Sequence, residues 1–282
     1  MDIVTSFTQV FHALPTLSAS GPGRVNLLGE HVDYNDGPVL PAAIDRAVHL
    51  AAAPDRDRRV SLYALDLDKQ VSFRVDDLPD KIDIEGRPLP SWALYPAGVA
   101  WSFWQAGYEI NGMQAVYTSD VPVGAGLSSS AAVEVTFAMA WQALGGWEAD
   151  RMTIARLCQK AENLYVGVNC GLMDQFASVH GQAGHCLYFD TRSLDWEAVP
   201  LPTGTAIMVA DSGIRRSLSN SAYNERRASC EEAVRLLRQY LPELRALRDI
   251  SPVEFAAYSE FLPQGVRKRA DHVVHEIARV HS

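Results

Sequence analysis

Short apolar runs rich in β-branched residues occupy the first half of this chain, and apolar positions at helical spacing take over beyond residue 127. Residues 46–53 and 60–64 predict strands. Across 70–75, Val71, Phe73 and Val75 alternate with other residues in the period-2 pattern of a half-buried strand. Asn35-Asp36-Gly37-Pro38 is turn chemistry and predicts a tight reversal, and 113–119 reads as a further strand. Val133, Phe137, Trp141 and Leu144 then fall at helical spacing, in a helix that Gly145-Gly146 terminates. A second helix is expected from Asp150, a residue suited to N-capping, with Ile154, Leu157, Ala161, Leu164 and Tyr165 facing inward. Residues 185–190 and 205–211 predict strands. Residues 223–241 predict a long amphipathic helix with Cys230, Val234, Leu237 and Leu241 along its stripe. Two prolines and a glycine within 200–204 mark the best boundary, dividing 1–200 from 201–282. There is no internal repeat and no low-complexity segment.

Composition narrows the class. The 282 residues are 48% hydrophobic, enough to bury a large core in one big domain or two modest ones. A charged fraction of 21% argues against wholesale disorder. The net charge of −9 offers no basic footprint, which argues against nucleic acid or an anionic membrane as main partner. Cys158, Cys170, Cys186 and Cys230 lie far apart with no C-x-x-C pair, so free thiols in a reducing cytosol are expected. The first residues carry no basic n-region or signal-like apolar core, and no apolar run is long enough to cross a bilayer. The expectation is a soluble, cytoplasmic globular protein.

Three stretches carry candidate chemistry. Residues 23–35 crowd Arg24, Asn26, Glu30, His31, Asp33, Tyr34 and Asn35 around Val25-Asn26-Leu27-Leu28. Such a run presents several donors and acceptors to one small, hydroxyl-rich ligand. The second stretch is Gly124-Ala125-Gly126-Leu127-Ser128-Ser129-Ser130-Ala131, before the predicted helix. Glycines let backbone approach a ligand closely, and a following helix points its free amides at the loop, which suits the phosphates of a nucleotide. It is not a Walker A loop, because no Gly-Lys-Ser/Thr follows, and Ser129 stands where a dinucleotide fingerprint needs its third glycine. On its residues alone the loop reads either as a phosphate cradle or as a glycine-rich turn with a serine N-cap. In the third stretch, Glu162 lies late on the second predicted helix, and Asp174 follows the loop at 169–171. Taken bare, Glu162 reads as a solvated helix carboxylate, Asp174 as a cap, and Tyr223 as the start of a core stripe.

Residues 23–35, the glycine–serine loop and the segment from Ala161 to Phe176 together resemble the galactokinases. These are a branch of the GHMP small-molecule kinases, which also include homoserine, mevalonate and phosphomevalonate kinases. The resemblance runs from about residue 21 to the end of the sequence. It implies an α+β, two-lobed GHMP-kinase fold of mixed and antiparallel sheets with packed helices: an N-terminal lobe over 1–200 and a partial C-terminal lobe over 201–282. It implies ATP-dependent phosphorylation of the C1 hydroxyl of galactose, with ATP and Mg²⁺ as cofactors and a monomeric state.

By the same resemblance, Ser130 and Glu162 are the Mg²⁺ ligands, as suits a hard cation. Asp174 is the base, or the charge, beside the attacking hydroxyl, with Arg24 as its cationic neighbour. Glu30, His31, Asp33, Gly171 and Tyr223 join Asp174 around the sugar. Gly124, Gly126, Leu127, Ser128, Ser129, Ser130 and Ala131 form the ATP-binding loop. Trp92 is expected to stack on adenine, although Leu94, Pro96 and Ala97 depart from the polar and lysine residues common there. His272 and His275 have a metal-like spacing without a third ligand and are expected as a helix face. The family's third glycine-rich motif has no counterpart in this sequence. That keeps open a catalytically silent galactose/ATP sensor or an inactive fragment. N-acetylgalactosamine, arabinose or mevalonate are alternative acceptors, with the Glu30-His31-Asp33 set favouring a polyol over mevalonate.

Overall fold

A computed structural model describes residues 2–211, 213 and 221–282. In chain order the elements are α1 (Ile3–Phe11), β1 (Leu17–Asn26), β2 (Pro38–Val39), β3 (Pro41–Asp55), β4 (Arg59–Ala64) and β5 (Lys69–Arg74), then α2 (Leu94–Gln105), β6 (Gly112–Ser119), α3 (Ser129–Gly145), α4 (Arg151–Lys160) and α5 (Met173–His180). They continue with β7 (His185–Asp190), β8 (Trp196–Pro200), α6 (Ser221–Leu237), α7 (Pro252–Tyr258) and α8 (Gln264–His281). A five-stranded mixed sheet runs β1-β3-β6-β4-β5, with β4 and β6 parallel and the other neighbours antiparallel. A three-stranded antiparallel sheet runs β2-β7-β8. This is the expected α+β architecture.

Period-2 alternation along β3 distributes its side chains between two apolar layers. Val48, Leu50 and Ala52 join the large core formed with α2, α3 and α4, while Ala51 and Ala53 meet Phe7 of α1 on the other face. A further core gathers Phe176 of α5 and Leu187 and Phe189 of β7 with Ala233 and Leu237 of α6 and Val273, Val274 and Ile277 of α8. The predicted strands at 46–53, 60–64, 70–75, 113–119 and 185–190 all lie within or nearly coincide with observed ones. The helix after Leu127 ends at Gly146 in the left-handed region, and Asp150 caps α4 by accepting from the Thr153 amide at 2.9 Å.

Three expectations differ. Residues 205–211 form no strand: Ile207, Met208 and Val209 are 38%, 93% and 48% exposed, and no strand among the described residues pairs with them. Leu164 does not face inward but is 65% exposed, because Ala161–Val166 forms a π-turn that rotates the register after α4. The helix predicted over 223–241 is α6, which ends at Leu237. Leu241 precedes Pro242, which disfavours helical backbone there, yet its side chain still packs on the second core.

Candidate active site

Arg24 sits on β1 just after an irregularity at Gly23, where the register with β3 shifts. That irregularity brings β1 against the glycine–serine loop. A Cβ on Gly23 would come within 2.7 Å of the Leu127 carbonyl, which accepts from the Arg24 amide at 3.1 Å. The kinked strand directs the buried guanidinium across the loop. Its Nε and Nη2 each lie 2.7 Å from Asp174 Oδ1, and Nη1 donates to the Gly126 carbonyl at 2.7 Å. Burial works against the Arg24 charge, but Asp174, with Glu30 and Asp33, raises its pKa above the ordinary value.

Asp174 occupies the first turn of α5, where helix polarity favours a carboxylate. Its other oxygen accepts from Ser128 Oγ at 2.6 Å. Ser128 therefore does not cap α3 through its side chain: its backbone is left-handed and its hydroxyl is committed to Asp174. With Gly124 and Gly126 also at positive φ, the loop turns tightly into the N-terminus of α3, where free amides and the helix dipole attract an anion. Ser129 opens α3, Leu127 and Ala131 are buried, and Ser130 hydrogen-bonds Glu162.

Glu162 lies in the π-turn and is 5% exposed, so it is no solvated helix carboxylate. Burial and Asp174 raise its pKa to about 7 against hydrogen bonds from Cys170, Ser130 and Gln175. Beneath it, fully buried Gln175 donates from one Nε2 to Glu162 Oε2 at 2.7 Å and to Glu134 Oε2 at 2.9 Å. Burial and Glu162 push the Glu134 carboxyl well up. No group of three or more His, Cys, Asp or Glu among the described residues is placed to hold a metal alone. Glu162 and Ser130 nonetheless offer oxygen donors beside the loop, which fits Mg²⁺, a cation that uses one or two carboxylates and takes its remaining ligands from phosphates and water.

The signature residues gather on the far side of Asp174. Asp33 is half-buried against Gly171, where a Cβ would lie 2.0 Å from Asp33 Oδ2. Burial, reinforced by Asp174 and Glu30, raises the Asp33 pKa to about 7. Glu30 is exposed and accepts from Asn26 Nδ2 at 3.2 Å. His31 Nδ1 meets the Tyr34 hydroxyl at 3.1 Å, and its Nε2 accepts from Arg226 at 3.2 Å. Tyr223 packs its ring 5.8 Å from His31 and 5.5 Å from Tyr34, so it belongs to this cluster and not to the Cys230 stripe. A cavity of about 620 Å³ opens beside His31 and Tyr34, walled by Arg226, Lys268 and His272 among others. Trp92 stands apart, with its ring 6.3 Å from Tyr117 of β6 and its buried Nε1 without a partner among the described residues.

Sequence reasoning missed Glu134, Gln175, Arg226 and Glu276. For Glu134 a signal existed, since an ionisable residue interrupts an otherwise apolar run at 131–135.

A family model described as the GHMP kinases N terminal domain matches residues 95–182, and one described as the galactokinase galactose-binding signature matches residues 5–54. A galactokinase of Roseiflexus sp. is 46% identical over 273 residues, covering 97% of this chain and 68% of that protein. A galactokinase of Chloroflexus aggregans is 43% identical over 277 residues, 98% of this chain and 70% of that one. The crystal structure of Lactococcus lactis galactokinase complexed with galactose superposes with a TM-score of 0.86 at 31% identity, covering 99% of this chain and 71% of that chain. A mevalonate kinase, at 15% identity and a TM-score of 0.51, shares the fold. With two thirds or more of these relatives' length matched at such identity, this chain belongs to the galactokinase family of the GHMP kinases.

Proposed function

We propose that this chain transfers the γ-phosphoryl group of ATP to the C1 hydroxyl of galactose, giving galactose 1-phosphate and ADP. It is a kinase with an alcohol acceptor, as its family membership implies. The observation that carries the reading is the Asp174 carboxylate, gripped by Arg24 at 2.7 Å and Ser128 at 2.6 Å, where the phosphate loop meets the signature residues. An acceptor hydroxyl seated there meets a fixed anion on one side and the loop amides on the other. Phosphoryl transfer asks a protein mainly for such positioning and electrostatics.

In this reading Asp174 orients the hydroxyl and takes its proton, and Arg24 offsets charge on the transferring group. Glu30, His31, Asp33 and Tyr223 bind the remaining hydroxyls, and Gly171 leaves Asp33 its room. Residues 124–131 cradle the phosphates, and Trp92 lines the adenine side. Ser130 and Glu162 would hold Mg²⁺, which would supply charge neutralisation at the ATP phosphates.

The test is sugar-dependent ADP release with galactose, N-acetylgalactosamine, arabinose and glucose in parallel. Turnover with galactose in clear preference is the expected result. Folded protein that binds galactose by calorimetry without releasing ADP would replace this reading with the silent sensor.

A further inference from the structure

The signature loop at Gly29–His31 is held by a helix more than two hundred residues away. Glu276, on α8, is 8% exposed, and its Oε1 accepts two backbone amides, Gly29 at 2.8 Å and Glu30 at 3.1 Å. One turn earlier, His272 Nε2 donates to the Glu30 carbonyl at 3.0 Å. Both main-chain polar groups of Glu30 are thus taken by α8, and its side chain is left to face solvent. The other carboxylate oxygen, Oε2, is occupied by Arg279 at 2.8 Å. Burial opposes the Glu276 charge, but Arg279 and the two amides prevail and hold the carboxyl below its usual range.

A buried carboxylate with its two oxygens divided in this way costs desolvation that a purely apolar contact would avoid. What it gives in return is orientation. Two charge-assisted bonds from one oxygen and a third from His272 fix the peptide planes on either side of Glu30, and so the directions of the Glu30 and His31 side chains. We infer that Glu276 and His272 are positioning residues that set the geometry of the sugar-recognition loop, so that α8 tunes affinity for the acceptor sugar through the backbone of Glu30. The inference rests on the sugar-binding role proposed for Glu30 and His31.

Chemistry on the two Glu276 oxygens separates this role from bulk packing. Glu276→Gln keeps Oε1 for both amides and loses only the ion pair, whereas Glu276→Ala loses both. Arg279→Ala removes the ion pair from an exposed partner and should leave turnover within about twofold of wild type. The expected result for Glu276→Ala is a rise of about tenfold in KM for galactose, with KM for ATP changed less than about twofold, and near-complete rescue by Glu276→Gln. Amide hydrogen exchange at 29–31 should accelerate in Glu276→Ala and stay slow in Glu276→Gln. Where Glu276→Ala does not fold, His272→Phe, at an exposed helix position, carries the same test with an expected rise of about threefold. Equal rises in both KM values, or equal losses in the Ala and Gln variants, would overturn the inference. If the wild-type chain turned over no sugar, the functional reading would fall instead, and exchange at 29–31 would still decide the matter: unchanged protection in Glu276→Ala refutes the hold.

Discussion

Asp174 and Asp33 are neighbouring carboxylates under different constraints. Asp174 has a buried cation and a hydroxyl on its oxygens, whereas Asp33 is desolvated beside two other acids. Replacing Asp174 by Asn keeps the shape and removes the charge. Turnover should fall about 1,000-fold, while the dissociation constant for galactose, measured by calorimetry, moves less than about threefold. Stability should fall by roughly 1–3 kcal/mol, because Arg24 loses its nearest counter-charge while Glu30 and Asp33 remain close. Wild-type turnover in that variant would remove Asp174 from the reaction. For Asp33 the linkage has the opposite sense to an ion-paired acid. Its pKa rises from 3.8 to about 7 on folding, so the folded chain binds the proton more tightly and loses stability as pH climbs through that window. Asp33→Asn carries no such proton. Its unfolding free energy should decline less between pH 5 and pH 8 than that of wild type, by on the order of 1–2 kcal/mol. Parallel denaturant titrations that show identical slopes would refute this.

At the scale of elements, close approach decides the site. The turn into α5 works because Gly171 has no side chain, and Gly171→Ala would drive a methyl group into the Asp33 carboxylate. Sugar affinity should fall at least about tenfold while nucleotide binding, followed by fluorescence of a labelled ATP analogue, is retained. Elements with a strong local pattern were legible: the Val71-Phe73-Val75 alternation, the α3 face closed by Gly146, and the Asp150 cap. Those set by tertiary pairing were not. β1, Leu-Ser-Ala-Ser-Gly-Pro-Gly-Arg-Val-Asn, has no strand composition and is extended because β3 pairs with it. The π-turn at Ala161–Val166 leaves no mark in the apolar spacing, so that spacing alone puts Leu164 on the wrong face and makes Glu162 look solvated. The roles of the candidate residues came through likeness to a family. Their proximity is a long-range fact, since Arg24 and Asp174 stand 150 residues apart and no local pattern joins them.

Across the whole molecule, the apolar surface at 207–209 lies between β8 and α6 and pairs with no strand among the described residues. Met208 is 93% exposed, so Met208→Lys removes little buried area. The melting temperature should move by less than about 1 °C, while aggregation on concentration, followed by light scattering, decreases. Retention of the aggregation would mean another surface is responsible. The α8 hold has a further consequence for the order of assembly. Arg24 is made before its partner Asp174, and Glu276 later still, 247 residues after the Gly29 amide that it receives. Contacts of such separation close late, after local helices and hairpins have formed. A nascent chain still lacking α8 would already carry its signature and phosphate loop without a settled acceptor pocket. Retention of nascent chains on immobilised sugar would therefore serve as a clock for synthesis: chains stalled before residue 276 would wash through, and those extended far enough for α8 to dock would stay.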